Sequence, residues 1–279
     1  MARRIAAAGF PLTVWNRTSD RAAAFARDVK AKQARTAAGA VRDADVVITC
    51  LSTSADVDSV IDAAVLEAFK SDAVLLDCTS GDPPTSRRIA ERVAARRVGF
   101  IDAPVSGGVR GAEDGTLTVM CGGDASHLER VRPVIEAFGK KIVHCGPTGA
   151  GDAVKAMNQA LLAITIWGTG EALVALAKSG VSPQVALDVI NASSGRSNAS
   201  MNLFPERVLT RAFPRSFRLA LLDKDARIAA QISRDERVPA PLTQLAADLC
   251  TLAHQELGEE ADHVEAVKII EKWAGAEIK

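Results

Sequence analysis

The chain has 279 residues, 48% hydrophobic and 24% charged, with 34 basic and 34 acidic side chains and a formal net charge of zero. That balance excludes a disordered polymer. It also offers no field of one sign to hold nucleic acid or an anionic membrane non-specifically, so neither partner is expected. The length allows one large domain or two ordinary ones. The longest strongly apolar stretch, residues 160–167, is far short of a membrane span. The opening MARRIAAAGF has neither a long apolar core nor a cleavage site, so it is not read as a signal peptide. Five cysteines without CxxC spacing read as reduced thiols of a cytoplasmic protein, and four histidines without HxH or HxxxH spacing predict no metal site.

Through residue 147 two periods alternate. MARRIAAAGF reads as a helix and runs directly into the strand 12–15. Further apolar strand-like runs lie at 46–51, 73–76, 98–101, 117–121 and 142–145. Helical spacing fills 20–30, 57–69, 84–96 and 125–138. Runs apolar on both faces, separated by amphipathic helices, are what a parallel sheet covered on both sides requires. The fold class is therefore α/β, a doubly wound dinucleotide-binding type of domain. After GPTGAGD at 146–152 the strands stop. One long apolar helix covers 153–179, and helical stretches follow at 183–191, 201–210, 219–235, 241–256 and from about 262. The predicted organisation is a dinucleotide-binding domain over 1–148 and an all-helical domain over 149–279.

The order of a dinucleotide-binding unit is strand, glycine-rich turn, helix, strand. Here the helix and second strand are present, so a first strand and phosphate loop are expected about 12–16 residues upstream, with Met1 an internal methionine. Losing such a strand would remove on the order of 10 kcal/mol of burial, comparable to the net stability of a domain. The alternative is a shortened protein whose sheet closes differently.

Several motifs carry chemistry. In DAPVSGGVRGA (102–112), Ser106-Gly107-Gly108 sets a hydroxyl and two unshielded backbone N–H groups after a strand, a nest suited to a small carboxylate. In GAGDAVKAMNQ (149–159), Lys155 lies in an otherwise apolar helix, where a charge is costly without a role. Asn158 and Gln159 stand three and four residues on, along one face. A lysine whose pKa is lowered by desolvation can give or take the proton at a carbonyl or hydroxyl. LLDCTSGDPPTSR (75–87) ends a strand in a turn that doubles as a helix cap. FRLALLDKDARIA (217–229) carries a Lys-Asp pair, on its own an ordinary solvated helix face.

Taken together, these four segments resemble the β-hydroxyacid dehydrogenase family, which includes 3-hydroxyisobutyrate dehydrogenase and the glyoxylate and succinic semialdehyde reductases. The resemblance covers nearly the whole chain. It implies hydride transfer between a nicotinamide cofactor and a small carboxylate substrate, with Lys155 as general acid/base. It implies that Ser106, Gly107 and Gly108 hold the substrate carboxylate and that Asn158 and Gln159 orient the substrate. Many relatives carry Asn-Asn at 158–159, so Gln159 is a departure. Ser80, with Thr79 as close competitor, aligns with the residue contacting the nicotinamide half. Leu51, Ser52 and Asp56 would line the dinucleotide, and Lys224 would reach the cofactor.

The end of the second strand bears on cofactor choice. NAD sites usually place an acid there, whereas NADP needs a cation for its 2′-phosphate. The chain reads Asn16-Arg17-Thr18, with no acid before Asp20. Arg17 can clamp a phosphate through two N–H groups, which favours NADP over NAD. Competing readings are an imine reductase, against which Lys155 argues, and a non-catalytic or cofactor-deficient binding module. The apolar 153–179 helix suggests a subunit interface and a homodimer or homotetramer.

Overall fold

In a computed structural model, residues 1–278 are described. The chain divides into two compact units, Met1–Lys155 and Ala156–Lys279.

The first unit begins with α1 (Ala2–Ala7), β1 (Thr13–Val14), α2 (Ser19–Val29) and β2 (Lys32–Gln33); β1 and β2 pair in parallel as a small sheet of their own. There follow α3 (Ala37–Val41), β3 (Val46–Thr49), α4 (Ser54–Val60), α5 (Ala63–Ala68), β4 (Val74–Asp77) and α6 (Pro83–Ala94). The unit continues through β5 (Gly99–Asp102), β6 (Val105–Ser106), α7 (Gly108–Asp114), β7 (Leu117–Gly123), α8 (Ala125–Glu136) and β8 (Gly139–Gly146). Strands β3, β4 and β5 are parallel neighbours, while β7 runs antiparallel to β5 and β6, and β8 parallel to β7. The sheet is thus mixed rather than parallel. The connection from β5 to β7 holds the seven-residue α7 and β6, which itself pairs antiparallel with β7.

Both faces of this sheet are apolar, and the side chains alternate as the pleat demands. Val74, Leu76 and Ile101 join one core with Leu128, Val131 and Ile135 of α8. Ala73, Leu75 and Phe100 join the opposite core with Val57 of α4, Ile61 just beyond it, and Ile89 and Val93 of α6. The single helix expected over 57–69 is broken. Ile61 leaves the helical region (φ −81°, ψ 59°), and Asp62 then caps α5 by accepting the Val65 N–H at 2.8 Å.

The strand ends position the site. Thr49, Asp77 and Asp102 are the last residues of β3, β4 and β5, and they stand in register across the sheet. Helix α9 (Ala150–Lys178) then carries the chain out of the first unit. By length and composition it could cross a membrane, with a mean hydropathy of 1.7, although the strongly apolar stretch 160–167 is short because Gln159 and Gly168 bound it. Its residues Ala163, Ile166, Trp167, Leu173 and Val174 are buried in the core of the second unit.

That unit also contains α10 (Pro183–Ala192), a π-helical segment (Ala199–Val208), α11 (Leu219–Asp235), α12 (Pro241–Leu257), a 3₁₀ turn (His263–Ala266) and α13 (Val267–Ala274). Its core gathers Phe204, Val208, Leu222, Cys250, Val267 and Ile269. Small residues let helices approach closely. Ala156 and Ala160 of α9 pack with Ala229 of α11, and Ala226 and Ala230 with Ala247 of α12.

Candidate active site

The row of strand ends is polar and buried, which demands hydrogen-bond partners. Asp77, 2% exposed, accepts the Thr49 hydroxyl at 2.8 Å and the Thr79 N–H at 3.0 Å through one oxygen. The Thr79 hydroxyl accepts the Leu51 N–H at 3.0 Å. Gly81 N–H reaches Asp152 at 3.0 Å, and Asp82 N–H reaches the Ser54 hydroxyl at 2.7 Å. Asp82 in turn caps α6, accepting the Thr85 N–H at 2.9 Å ahead of Pro83. The turn after β4 is therefore held at 79, 81 and 82. Half-buried Ser80 sits between these anchors, while Thr79 lies deeper and works within the protein.

Asp102 accepts the Gly149 N–H at 2.7 Å and the Asp152 N–H at 3.1 Å, one with each oxygen. Asp152, 1% exposed, also shares a 2.6 Å hydrogen bond with the Ser86 hydroxyl. Burial raises the pKa of all three carboxyls. Asp77 is pushed up to about 6 by burial, against the hydrogen bonds from Thr79 and Thr49. Asp102 is raised by burial and held back by the N–H groups of Gly149 and Asp152. Asp152 is raised well above its ordinary value, first through burial and then through the charge of Asp102.

Four residues beyond Asp102 stands Ser106, half-buried in β6 and paired with Thr118 of β7. Gly107 and Gly108 follow at φ +133° and +64° at the start of α7, exposed to solvent. Two successive positive φ values are the conformation that side chains resist, which accounts for the paired glycines. Lys155, only 7% exposed, lies in the second turn of α9.

Residues 16–18 are exposed between β1 and α2, where the Asn16 side chain accepts the Thr18 N–H at 2.8 Å and Arg17 is solvent-facing. Leu51 and Ser52 are exposed after β3. Asp56 belongs to a capping box: it accepts the Thr53 N–H at 3.0 Å and hydroxyl at 2.7 Å while its own N–H donates to the Thr53 oxygen. Its recorded partners are those of a helix cap.

In the second unit Gln159, 5% exposed, donates to Asp225 at 3.3 Å, and Asn158, which is exposed, donates to Gln159 at 3.3 Å. Lys224 pairs with Asp225 at 2.8 Å. The Lys-Asp pair is thus not a solvated face; Asp225 is 2% exposed. Sequence reasoning missed Asp77, Asp102, Asp152 and Asp225. A signal was available for the first two, since VLLD and GFID each close a buried strand with an acid, where a charge is costly.

Residues 1–146 match the family model described as the NAD binding domain of 6-phosphogluconate dehydrogenase. Residues 149–270 match the model described as NAD-binding of NADP-dependent 3-hydroxyisobutyrate dehydrogenase. The chain is 35% identical to 2-(hydroxymethyl)glutarate dehydrogenase of Eubacterium barkeri, over 84% of this chain and 78% of that protein. Among solved structures, 3-hydroxyisobutyrate dehydrogenase of Mycobacterium tuberculosis with L-serine is 31% identical, with a TM-score of 0.89 over 96% of this chain and 94% of that one. An imine reductase of Streptomyces aurantiacus, 18% identical with a TM-score of 0.62 over 96% and 95% of the two chains, shares the fold alone.

Proposed function

The chain belongs to the β-hydroxyacid dehydrogenase family of nicotinamide-dependent oxidoreductases, and from that premise we propose that it acts on a short β-hydroxy acid, or on its semialdehyde or 2-oxo acid counterpart, with NADPH as the favoured cofactor. The observation that carries this reading is the buried Lys155, on a helix whose first turn is bonded to Asp102, four residues ahead of the Ser106-Gly107-Gly108 nest. The nest binds the substrate carboxylate, and Asn158 and Gln159 orient the substrate. Lys155 delivers a proton to the substrate oxygen on reduction and removes it on oxidation.

The residues at the strand ends suit a dinucleotide. Ser80 would contact the nicotinamide half, with Leu51 and Ser52 along its length, and Lys224 would contact the cofactor. When bound, the cofactor supplies or accepts the hydride. The exposed Arg17, beside the N-terminus of α2 and with no acid at positions 16 or 18, supports a 2′-phosphate partner. An imine reductase is the weaker reading, because the proton-handling lysine is retained.

Replacing Lys155 with Ala is expected to lower kcat by about 10²–10⁴-fold with cofactor affinity intact. Turnover near the parent's removes Lys155 from the role. In a screen of small hydroxy acids and semialdehydes, Arg17→Ala is expected to lower the NADPH-to-NADH ratio of kcat/KM; an unaltered ratio defeats the cofactor assignment. Leu161 is 63% exposed, and on its helix Gly168 and Ala175 are exposed at the same seven-residue spacing. That stripe supports association as a homodimer or homotetramer.

A further inference from the structure

We propose that Asp102 and Asp152 are a positioning pair that clamps the first turn of α9, and with it Lys155, to the carboxyl ends of β4 and β5. The consequence for turnover rests on the reading of Lys155 as the acid/base; the clamp itself does not.

The first N–H groups of a helix have no partner within it. For α9 the acceptor comes from a strand: Asp102 takes the N–H of Gly149 at 2.7 Å and of Asp152 at 3.1 Å. A cap from a neighbouring loop residue fixes a helix only to its own approach, whereas a cap from β5 fixes it to the sheet. The contact is also close. A Cβ at Gly151 would lie 2.2 Å from the Met120 carbonyl oxygen, and one at Gly122 would lie 2.5 Å from an Asp102 carboxyl oxygen. The helix start therefore rests on backbone with no space for adjustment.

Asp152 completes the junction in the other direction. Its carboxyl accepts the Gly81 N–H at 3.0 Å and meets the Ser86 hydroxyl at 2.6 Å, binding the same turn to the Ser80 loop and to α6. Lys155 follows three residues later, a neighbouring position on the helix surface and about 4.5 Å along the axis. One junction thus sets the Lys155 helix, the Ser80 turn and, through Asp102, the start of the segment leading to the nest.

Side-chain chemistry separates the variants. Asp152 accepts the Gly81 N–H through one oxygen and the Ser86 hydroxyl through the other; in an asparagine the carbonyl oxygen keeps the Gly81 bond and the amide donates to the Ser86 oxygen, so both contacts survive. Alanine reproduces neither. At Asp102 an asparagine sets an amide N–H against one of the two backbone N–H groups, so there the same change breaks the cap.

The test combines hydrogen exchange over residues 149–155 of the full chain with kcat, KM and cofactor Kd, the turnover measured on whichever screened substrate is active. For Asp102→Asn and Asp152→Ala, exchange in 149–155 should rise about tenfold or more. In the same variants kcat should fall by up to about 100-fold, the effect of displacing a reacting group by about 1 Å; cofactor Kd should stay within about twofold for Asp102→Asn and weaken for Asp152→Ala, which releases the Ser80 turn. Asp152→Asn should recover most of the lost kcat and the parental exchange. Unaltered exchange in both disruptive variants overturns the proposal, as does faster exchange with unaltered kcat. So does an Asp152→Asn enzyme as slow as Asp152→Ala; should Asp152→Ala not fold, Asp102→Asn carries the comparison. If Lys155→Ala keeps its turnover, the acid/base reading fails while the exchange data still decide the clamp.

Discussion

In the first unit Asp77, Asp102 and Asp152 are buried against backbone N–H groups and hydroxyls, whereas in the second Asp223, Asp225, Asp262 and Glu271 are each buried against a cation. Asp223 meets Arg227 and His254, Asp225 meets Lys224, Asp262 meets Arg207 and His263, and Glu271 is gripped by Arg211 through two hydrogen bonds. The chemistry differs accordingly. Acids lodged among amides and hydroxyls are raised in pKa by burial. Burial pushes Asp262 upward as well, but the bond and charge of His263 and the N–H groups of Ser216 and Phe217 overcome it and hold the carboxyl well below the usual range. The first arrangement ties the strand ends to the neighbouring turns and to α9; the second fastens helices together.

If that contrast holds, Asp→Asn changes should act unequally in the two units. The largest loss is expected for Asp262→Asn. One oxygen of Asp262 accepts from Ser216 N–H at 2.8 Å and Phe217 N–H at 3.1 Å, while the other faces Arg207 and Val264 N–H. An amide must turn a donor toward donors on one side or the other, at a cost of about 3–5 kcal/mol, read as a lower urea midpoint at unaltered slope. A loss under about 1 kcal/mol would break the comparison.

Asp77→Asn should behave oppositely. The Thr49 hydroxyl and the Thr79 N–H both donate to the same oxygen of Asp77, so asparagine can keep these two bonds. The folded Asp77 pKa of about 6 exceeds the ordinary 3.8, so between those values the folded state binds more protons than the unfolded one. This carboxyl therefore costs stability as pH rises from about 4 through about 6. Across that window the variant should gain on the parent by about 1–3 kcal/mol, measured as the difference between their urea-derived stabilities at each pH. Parallel curves would show that Asp77 is not held up by burial.

The smallest effect is expected at His254, whose side chain is 21% exposed and bridges Asp223 at 2.9 Å and Glu259 at 3.1 Å. The bond from Asp223 raises its pKa despite partial burial. Its contribution is thus present below the unfolded histidine value and lost as pH rises through the raised one. His254→Gln should cost under about 1 kcal/mol at mildly acid pH and less in alkali, read by thermal melting. A cost that grows with pH would sharpen the comparison against this pair, by showing that its bond is neutral rather than ionic.

The two units were also unequally legible. Helices α10, α11 and α12 follow directly from apolar spacing, with proline starts for α10 and α12, and α11 spans the predicted residues 219–235. The strands were visible as apolar runs, but their directions were not. An apolar run looks the same whether its neighbour is parallel or antiparallel, and two-residue strands such as β2 and β6 carry no period. Lys155 stood out as a charge among apolar residues. Asp225 did not, because a Lys-Asp pair on a helix looks solvated until α9 is seen beside α11 within the helical unit.

What the amino-acid sequence determined by itself is local or patterned: the alternation of strand and helix, the change to all-helix after residue 147, and the paired glycines after Ser106. Each follows from periodicity or from backbone conformation that only certain residues tolerate. What tertiary structure decided is non-local. Asp102 meets the N–H groups of Gly149 and Asp152 only because β5 ends where α9 begins in space. The raised pKa of Asp152 depends on burial and on a second acid 50 residues away along the chain. Spacing in sequence carries information about neighbours within a turn or two of chain, and the clamp on Lys155 is built from residues that only the fold makes neighbours.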